Sequence, residues 1–438
     1  MSYQMFVSFL VTFSLVAAAL AQPPDTLWTQ TFGGSADDYG NSVQLTTDGG
    51  YIIAGSTNSF GAGAVDVYLI KTDASGSEIW SQTFGGSADD YGNSVQQTTD
   101  GGYIIAGSTN SCGAGSSDVY LIKTDASGAQ VWSQTFGYSG VDEGRNVQQT
   151  TDGGYIITGC TEFFGIMSTE VYLIKTDGSG NLTWSNTFRA GSHNEGNSVQ
   201  QTSDGGYIIV GDASMAGYYE VYLIKTNAFG YQVWSQLFGE DGIDCGYSVQ
   251  QTADGGYIIA GRTSSYGAGI YDVYLIKTDR SGNLTWLRTF WGSGYDYGYS
   301  VQQTTDGGYI IAGTFDSVTF DVYLIKTNAL GNQVWSQTFG GSGVDEGRSV
   351  QQTTDGGTII AGWTNSYGAG SWDVYLIRLE AESPTVPIVL TSFSANAFPD
   401  GVMLSWKTAS EIECYAWVVQ RQQGETEFMD LSPLIEGH

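Results

Sequence analysis

Between Trp28 and Arg378, short apolar runs alternate with breaks rich in Gly, Asp, Asn and Ser, in one pattern written seven times. The copies begin at Trp28, Trp80, Trp132, Trp184, Trp234, Trp286 and Trp335, spaced 52, 52, 52, 50, 52 and 49 residues apart. A period near fifty residues belongs to stacked or circular β arrays. Within each copy the pattern predicts four strands bounded by turn residues. In the first copy they are Ser42–Thr46, Tyr51–Thr57, Asp66–Thr72 and Glu78–Phe84.

The first two strands are joined by Asp48-Gly49-Gly50, and the triplet recurs from Asp100, Asp152, Asp204, Asp254, Asp306 and Asp355. Asp-Gly suits a tight hairpin that needs positive φ. A second hairpin, Asp73-Ala74-Ser75-Gly76, joins strands three and four. The third strand is apolar on both faces through Val67, Tyr68, Leu69 and Ile70, so sheet must pack on sheet on either side. Four antiparallel strands make one blade, and the Trp of the fourth strand is expected in the buried core rather than as a sugar-stacking platform. The seventh unit, ending at Asp373–Arg378, lacks a fourth strand, while Thr26–Phe32 is a fourth strand with no blade before it. The expected fold is therefore all-β, a seven-bladed β-propeller closed by its N-terminal strand, which removes the exposed edges of an open array. An open β-solenoid would need polar capping units that neither end of the array supplies.

The stretch D-G-G-Y-I-I-A-G-S-T followed by D-V-Y-L-I-K-T-D-A-S-G resembles the secreted seven-bladed β-propeller repeats of bacteria and archaea, distantly similar to kelch and quinoprotein-type propellers. The resemblance spans about residues 27–378 and implies fold rather than activity, because propellers serve as enzymes, lectins and scaffolds alike. After a linker at 381–386, residues 387–438 resemble the start of a fibronectin type III-like module of the kind found in proteins exported by the type IX system. Such a sandwich takes about a hundred residues, so the module is expected to be incomplete.

Composition sets further bounds. The 438 residues include 62 glycines, six prolines and 13% aromatics, a profile of many short strands and tight turns. Residues 1–21 form an uncharged apolar run, Met5 to Leu20, ending in Ala19-Leu20-Ala21, which fits a signal peptide cleaved before Gln22, although Met1-Ser2-Tyr3-Gln4 carries no Lys or Arg. The propeller is thus expected at 22–380, outside the cell or on its surface, with no membrane span after cleavage. The formal charge of −30, from 45 acids and 15 bases, argues against nucleic acid and anionic membranes as partners. Cys112, Cys160, Cys245 and Cys414 sit in unrelated contexts and are expected as free thiols, neither a metal motif nor a disulfide framework.

Candidate chemistry lies on the two connections that share the face opposite the hairpins. An acid stands six residues after the Phe of strand four, at Asp38, Asp90, Asp142, Asp244, Asp296 and Asp345, with Asn194 in the fourth copy. A second acid opens strand three, at Asp66, Asp118, Glu170, Glu220, Asp272, Asp321 and Asp373. Two readings stay open: Asx-type turns that accept backbone N–H groups, or Ca2+ ligands at the first set of six aspartates. The bases Lys71, Lys123, Lys175, Lys225, Lys277, Lys326 and Arg378, at the opposite ends of strand three, are expected to snorkel or to pair with the hairpin aspartates. The histidines His193 and His438 leave almost no material for an imidazole-based catalytic cluster. Departures from the cassette place Phe163, Phe164, His193, Tyr218, Tyr219 and Phe315 on irregular loops of the variable face, as candidate ligand contacts. The sequence thus predicts a monomeric, secreted, non-catalytic binding or scaffolding propeller with a protein or glycan partner. The alternative is a carbohydrate-active or other hydrolytic propeller using paired carboxylates.

Overall fold

The computed structural model describes residues 11–18, 22–162, 168–215, 217–290, 292, 294–316 and 319–382, together with the backbone of five short strands between Leu390 and Glu436. Asp25–Ala381 forms one compact unit, and Met1–Pro24 with Glu382–His438 forms another. The first unit contains seven antiparallel sheets of four strands. Six are consecutive quartets. In the seventh, Asp345–Gln352, Thr358–Thr364 and Asp373–Leu379 are completed by Thr26–Phe32, with Thr29 opposite Ile377 and Phe32 opposite Val374. The N-terminal strand therefore closes the ring, as its unpaired copy of the pattern predicts.

The inner strand starts at Asn194 in blade four and at Tyr297 in blade six; in the other five blades it starts at the acid of the variable face, four residues earlier than the apolar pattern suggests, as Asp38–Leu45 does in blade one. A bulge between Gly40 and Ser42 separates the two halves of this strand and hides its length from an alternation test. Beyond the bulge, the repeated Ser-Val-Gln segment is bonded sideways. The Oγ of Ser42 accepts the N–H of Val95 at 3.2 Å, and the side-chain Oε1 of Gln44 accepts the N–H of Gln97 at 2.5 Å. The same bonds run from Val43 and Leu45 to Ser349 and Gln351, at 3.1 and 2.6 Å, so the inner ring closes through blade seven. These residues line a central cavity of about 230 Å3.

Strands two and three carry the core. Every residue of Tyr51–Thr57 and Asp66–Thr72 is buried, and the buried clusters join neighbouring blades: Ile52, Ala54, Val67 and Leu69 of blade one pack with Tyr103, Ile105, Tyr120 and Ile122 of blade two. The strand-four Trp lies at the same joint. Trp80 meets Tyr103 of the next blade with ring centroids 5.8 Å apart, and Trp28 meets Tyr51 at 5.9 Å. Gly128, in the following blade's outer hairpin, has φ +83°, and a Cβ there would stand 2.6 Å from the Trp80 ring. The Trp is thus an inter-blade wedge, part-buried in six blades and buried at Trp335.

The inner hairpin is a four-residue turn in which Gly49, at φ +85°, donates to the Thr46 carbonyl at 2.9 Å. The Asp48 carboxylate accepts from the Thr46 hydroxyl, the Gly50 N–H and the buried Lys71 ammonium. Equivalent pairs join Lys123 to Asp100, Lys175 to Asp152, Lys225 to Asp204, Lys277 to Asp254, Lys326 to Asp306 and Arg378 to Asp355, so the seven bases pair with the hairpin acids.

In the second unit, Leu390–Phe398 and Gly401–Thr408 form a hairpin, and Val11–Ala18 pairs antiparallel with Ala416–Gln423. The remainder of the expected fibronectin-like segment, Pro387–Val389 and Ala409–Tyr415 included, lies outside the described residues, as does Cys414. Cys112, Cys160 and Cys245 are free thiols. Among the described residues, no helix is long and apolar enough to cross a membrane.

Candidate functional site: the mouth of the central channel

The acids of the variable face are loop clamps. Asp38 is fully buried, and its Oδ2 accepts the Gly34 N–H at 2.8 Å and the Ser59 hydroxyl at 2.6 Å. Asp90 repeats this with Gly86 and Ser111, and Asp345 with Gly341 and Ser366. Asp244 takes the Ser265 hydroxyl at 2.5 Å, Asp142 the Tyr138 N–H at 2.7 Å, and Asp296 the Gly292 N–H at 2.6 Å. Asn194 does the same work, accepting from Ala190 and Gly191 and donating to the Thr169 carbonyl. The second acids hold the other loop: Asp66 accepts from Gly63, Asp118 from Ala114 and Gly115, and Asp373 from Gly370. Each blade carries one acid of each set, save that Asn194 replaces the first in blade four, and among the described residues no three acid, imidazole or thiol side chains converge in a cation site. The geometry is that of Asx-type turns.

The loop aromatics divide. Phe163 and Phe164 lie outside the described residues. Phe315 packs on Tyr323, centroids 5.1 Å apart, at the edge of a core cluster, because blade six has lost the Thr that stands opposite the buried acid in blade one and a shorter loop follows. It is a partly buried side chain that packs against the core. Tyr218 is exposed. His193 and Tyr219 meet edge to face at 6.1 Å, and both line a cavity at the channel mouth.

That mouth is built from positions the loop reading passes over: the two residues flanking the bulge glycine of each inner strand, and the strand-two residue opposite. In blades one, two and four the residue after the glycine is Asn, and Asn41, Asn93 and Asn197 each donate to the carbonyl of the next blade's glycine at 2.9 Å. In blades three, five, six and seven it is Arg145, Tyr247, Tyr299 and Arg348. The signal was present in the sequence as the residue before each S-V-Q or N-V-Q, which varies where the rest of the strand repeats.

Two chemically different arcs result. On one, Arg145 bridges Glu143 and Glu195, and Glu195 also meets His193 Nε2 at 2.9 Å. Burial pushes the Glu195 carboxyl up, but Arg145 and His193 outweigh it and hold it below its ordinary value. Asp212, 6% exposed and directly across the strand pair from Glu195, has only the Asn197 amide at 3.3 Å. Burial and the Glu195 charge push Asp212 up to about 6. On the other arc, the Arg348 guanidinium lies 4.0 Å from the Tyr299 centroid and pairs with Glu346 at 2.6 Å. Arg262 lies 4.6 Å from the Tyr271 centroid and 5.3 Å from that of Tyr297. Arginine stacked on aromatic faces is held rigidly with its donors turned outward.

No family model matches the chain, and no curated protein matches it. Solved structures do. The chain is similar to Chaetomium thermophilum Sqt1 bound to the N-terminus of ribosomal protein L10, at 12% identity and TM-score 0.46 over 82% of this chain and 100% of that one. It is similar to the Neurospora crassa Pan2 WD40 domain, at 9% identity and TM-score 0.48 over 79% and 97%. It is also similar to YCF48 bound to D1 peptide, at 12% identity and TM-score 0.47 over 83% and 98%.

Proposed function

We propose that this chain is a secreted, non-catalytic recognition module that holds a protein partner at the mouth of its central channel. One observation carries the reading. Apart from Leu45, Asn146 and Asn194, the inner strands vary only at the side chains facing the mouth, where an Asn that bonds the neighbouring blade gives way to Arg145, Tyr247, Tyr299 and Arg348. Arg and Tyr are the side chains that dominate binding energy at protein interfaces. The apolar run Met5–Leu20 before Ala21 supports export.

Hydrolysis has weaker support. Glu195 is held by Arg145 and His193 in its ionised form, and Asp212 across the strand pair carries the raised pKa of a general acid, so this pair is the one observation that favours the hydrolytic alternative. Burial pushes the thiols of Cys160 and Cys245 up to about 12, which removes them as nucleophiles. A glycan reading based on the repeated Trp residues meets rings already wedged between blades.

The test is a variant that restores the repeat. Tyr247→Asn, Tyr299→Asn and Arg348→Asn together place at each site the residue that blades one, two and four already carry. Peptide and glycan arrays are probed with the mature wild type and this variant in parallel. Peptide binding that vanishes in the variant supports the proposal; peptide binding that survives it, or binding to glycans alone, overturns it.

A further inference from the structure

An unmatched pair stands where the two arcs meet. Arg262 and Asp212 line the same cavity of about 340 Å3, with Glu195, His193, Tyr219, Ile243, Cys245 and Tyr247 among its walls. Neither makes an ion pair among the described residues, although Arg145, Glu195 and Arg348 beside them do. The Arg262 Nη2 meets the Cys245 Sγ at 3.8 Å, and its Nε is buried without an acceptor. Its remaining neighbours are the faces of Tyr247, Tyr271 and Tyr297, and the Tyr297 phenol, which is hydrogen-bonded to it. Asp212 is nine-tenths buried with a single long hydrogen bond. Cys245, directly across the strand pair from Arg262, separates the two.

A guanidinium with no anionic partner and a buried unsatisfied Nε, and a carboxylate with no ion pair, each partly dehydrated, are costly to leave unmatched. Residues at the same register in the other blades are uncharged: Ser56, Ser108, Cys160, Thr314 and Trp363 stand where Asp212 and Arg262 stand. The fold does not need these charges. We propose that this cavity binds a free α-amino acid, its carboxylate taken by Arg262, its ammonium by Asp212 with Glu195, and its side chain by Tyr219, Ile243 and Tyr247. Carboxylate and ammonium are joined through one carbon in such a ligand, so a single small molecule satisfies both walls. Arg is suited to the carboxylate because its fork matches two oxygens at once. This ligand is independent of the protein partner proposed above: the amino acid is a second occupant of one sector of the mouth.

The experiment is calorimetric titration of the full chain with L-phenylalanine, L-leucine and glycine, and with N-acetyl-L-phenylalanine, which keeps the carboxylate and lacks the ammonium. Millimolar or tighter binding of at least one free amino acid at one site per chain is expected, with the acetylated probe about 10- to 100-fold weaker. Arg262→Ser and Asp212→Ser copy residues native to this register, and their melting curves establish that they fold. Arg262→Ser should abolish binding of every probe. Asp212→Ser should remove the preference for the free amine. No heat with any of the three amino acids, or binding that Arg262→Ser leaves intact, overturns the proposal. Tyr247 is shared by the two sites, so the proposals are separated by Tyr299→Asn with Arg348→Asn, which leaves the whole amino-acid cavity in place, and by Arg262→Ser: either proposal can fail without the other.

Discussion

The Nε–H of Arg378 donates to the phenol oxygen of Tyr51 at 3.0 Å, joining the last propeller strand to the second strand of blade one. The same guanidinium pairs with Asp355. In the other six blades the base is Lys and reaches only its own hairpin acid and a neighbouring carbonyl, as Lys71 does with Asp48 and Thr72. Arg is used at the closing joint because its fork can serve both sides.

Arg378→Ala should therefore cost about 2–3 kcal/mol, since it strips a charged donor from a buried site. Removing Asp25–Phe32 should cost far more, leaving the third strand of blade seven as an open edge. Urea unfolding followed by tryptophan fluorescence checks the first, and light scattering the second, where aggregation is expected.

The Trp wedge makes a paired glycine prediction. Gly128→Ala drives a methyl group into the Trp80 ring at a residue with φ +83°. Gly101→Ala, at φ +86°, meets nothing within 4 Å. The second should lose about 1–2 kcal/mol, the left-handed penalty alone, and the first about 2–4 kcal/mol, with overpacking added. Equal losses in chemical denaturation would mean that the ring does not occupy this seat.

The hairpin acids predict an acid-labile ring. Partial burial pushes Asp48 up, but the Thr46 hydroxyl, the Lys71 ammonium and the Gly50 N–H outweigh it and hold the carboxyl at about 2, as their equivalents do for Asp152 and Asp254. A carboxylate whose folded pKa is depressed contributes stability that is complete above its unfolded value, near 4, and is lost as pH falls toward about 2. These carboxylates are more than half exposed, which screens each contribution. The urea midpoint should fall between about pH 4 and pH 2, and less steeply in a variant with Asp48, Asp152 and Asp254 changed to Asn.

Asp212 should behave in the opposite sense. It faces Glu195, Arg145, His193, Asn197 and Cys245. Its carboxyl is pushed up to about 6, so the folded protein holds a proton there that the unfolded chain has released. Stability is lost as pH rises from about 4 to about 6 and stays lost above. Asp212→Asn should raise the melting temperature at neutral pH, equivalent to about 1–3 kcal/mol, and leave it nearly unchanged near pH 4. A bound amino acid should narrow that difference.

The loop acids give a test with no mutation. Asp38, Asp90 and Asp345 already hold backbone N–H groups and Ser hydroxyls. A cation would have to displace those donors, so melting curves with chelator and with added Ca2+ should superimpose. A higher transition with Ca2+ would show a ligand of the folded state.

The ring and its closure were legible because a strand-four pattern at Thr26–Phe32 had no blade before it. The pairing of Lys71 and its equivalents with the hairpin acids followed from their placement at one end of the blade. The inner strand was read four residues short because the bulge at Gly40 breaks its alternation. Phe315 looked like a loop residue because a shortened loop and a lost Thr compensate each other only in three dimensions. The mouth was overlooked for a similar reason. Irregular loops draw attention by their length, whereas Arg145, Tyr247, Arg262 and Arg348 are single exchanges inside regular strands, and only the disc brings them together.

Because Thr26–Phe32 pairs with Asp373–Leu379, the first strand of the ring is synthesised long before the strand it joins. Until the final repeat emerges, this segment has no sheet to join, and the half-made molecule carries two sticky ends of matching pattern. A nascent chain of this design depends on its own far end, and two such chains held close together during synthesis could exchange their opening strands.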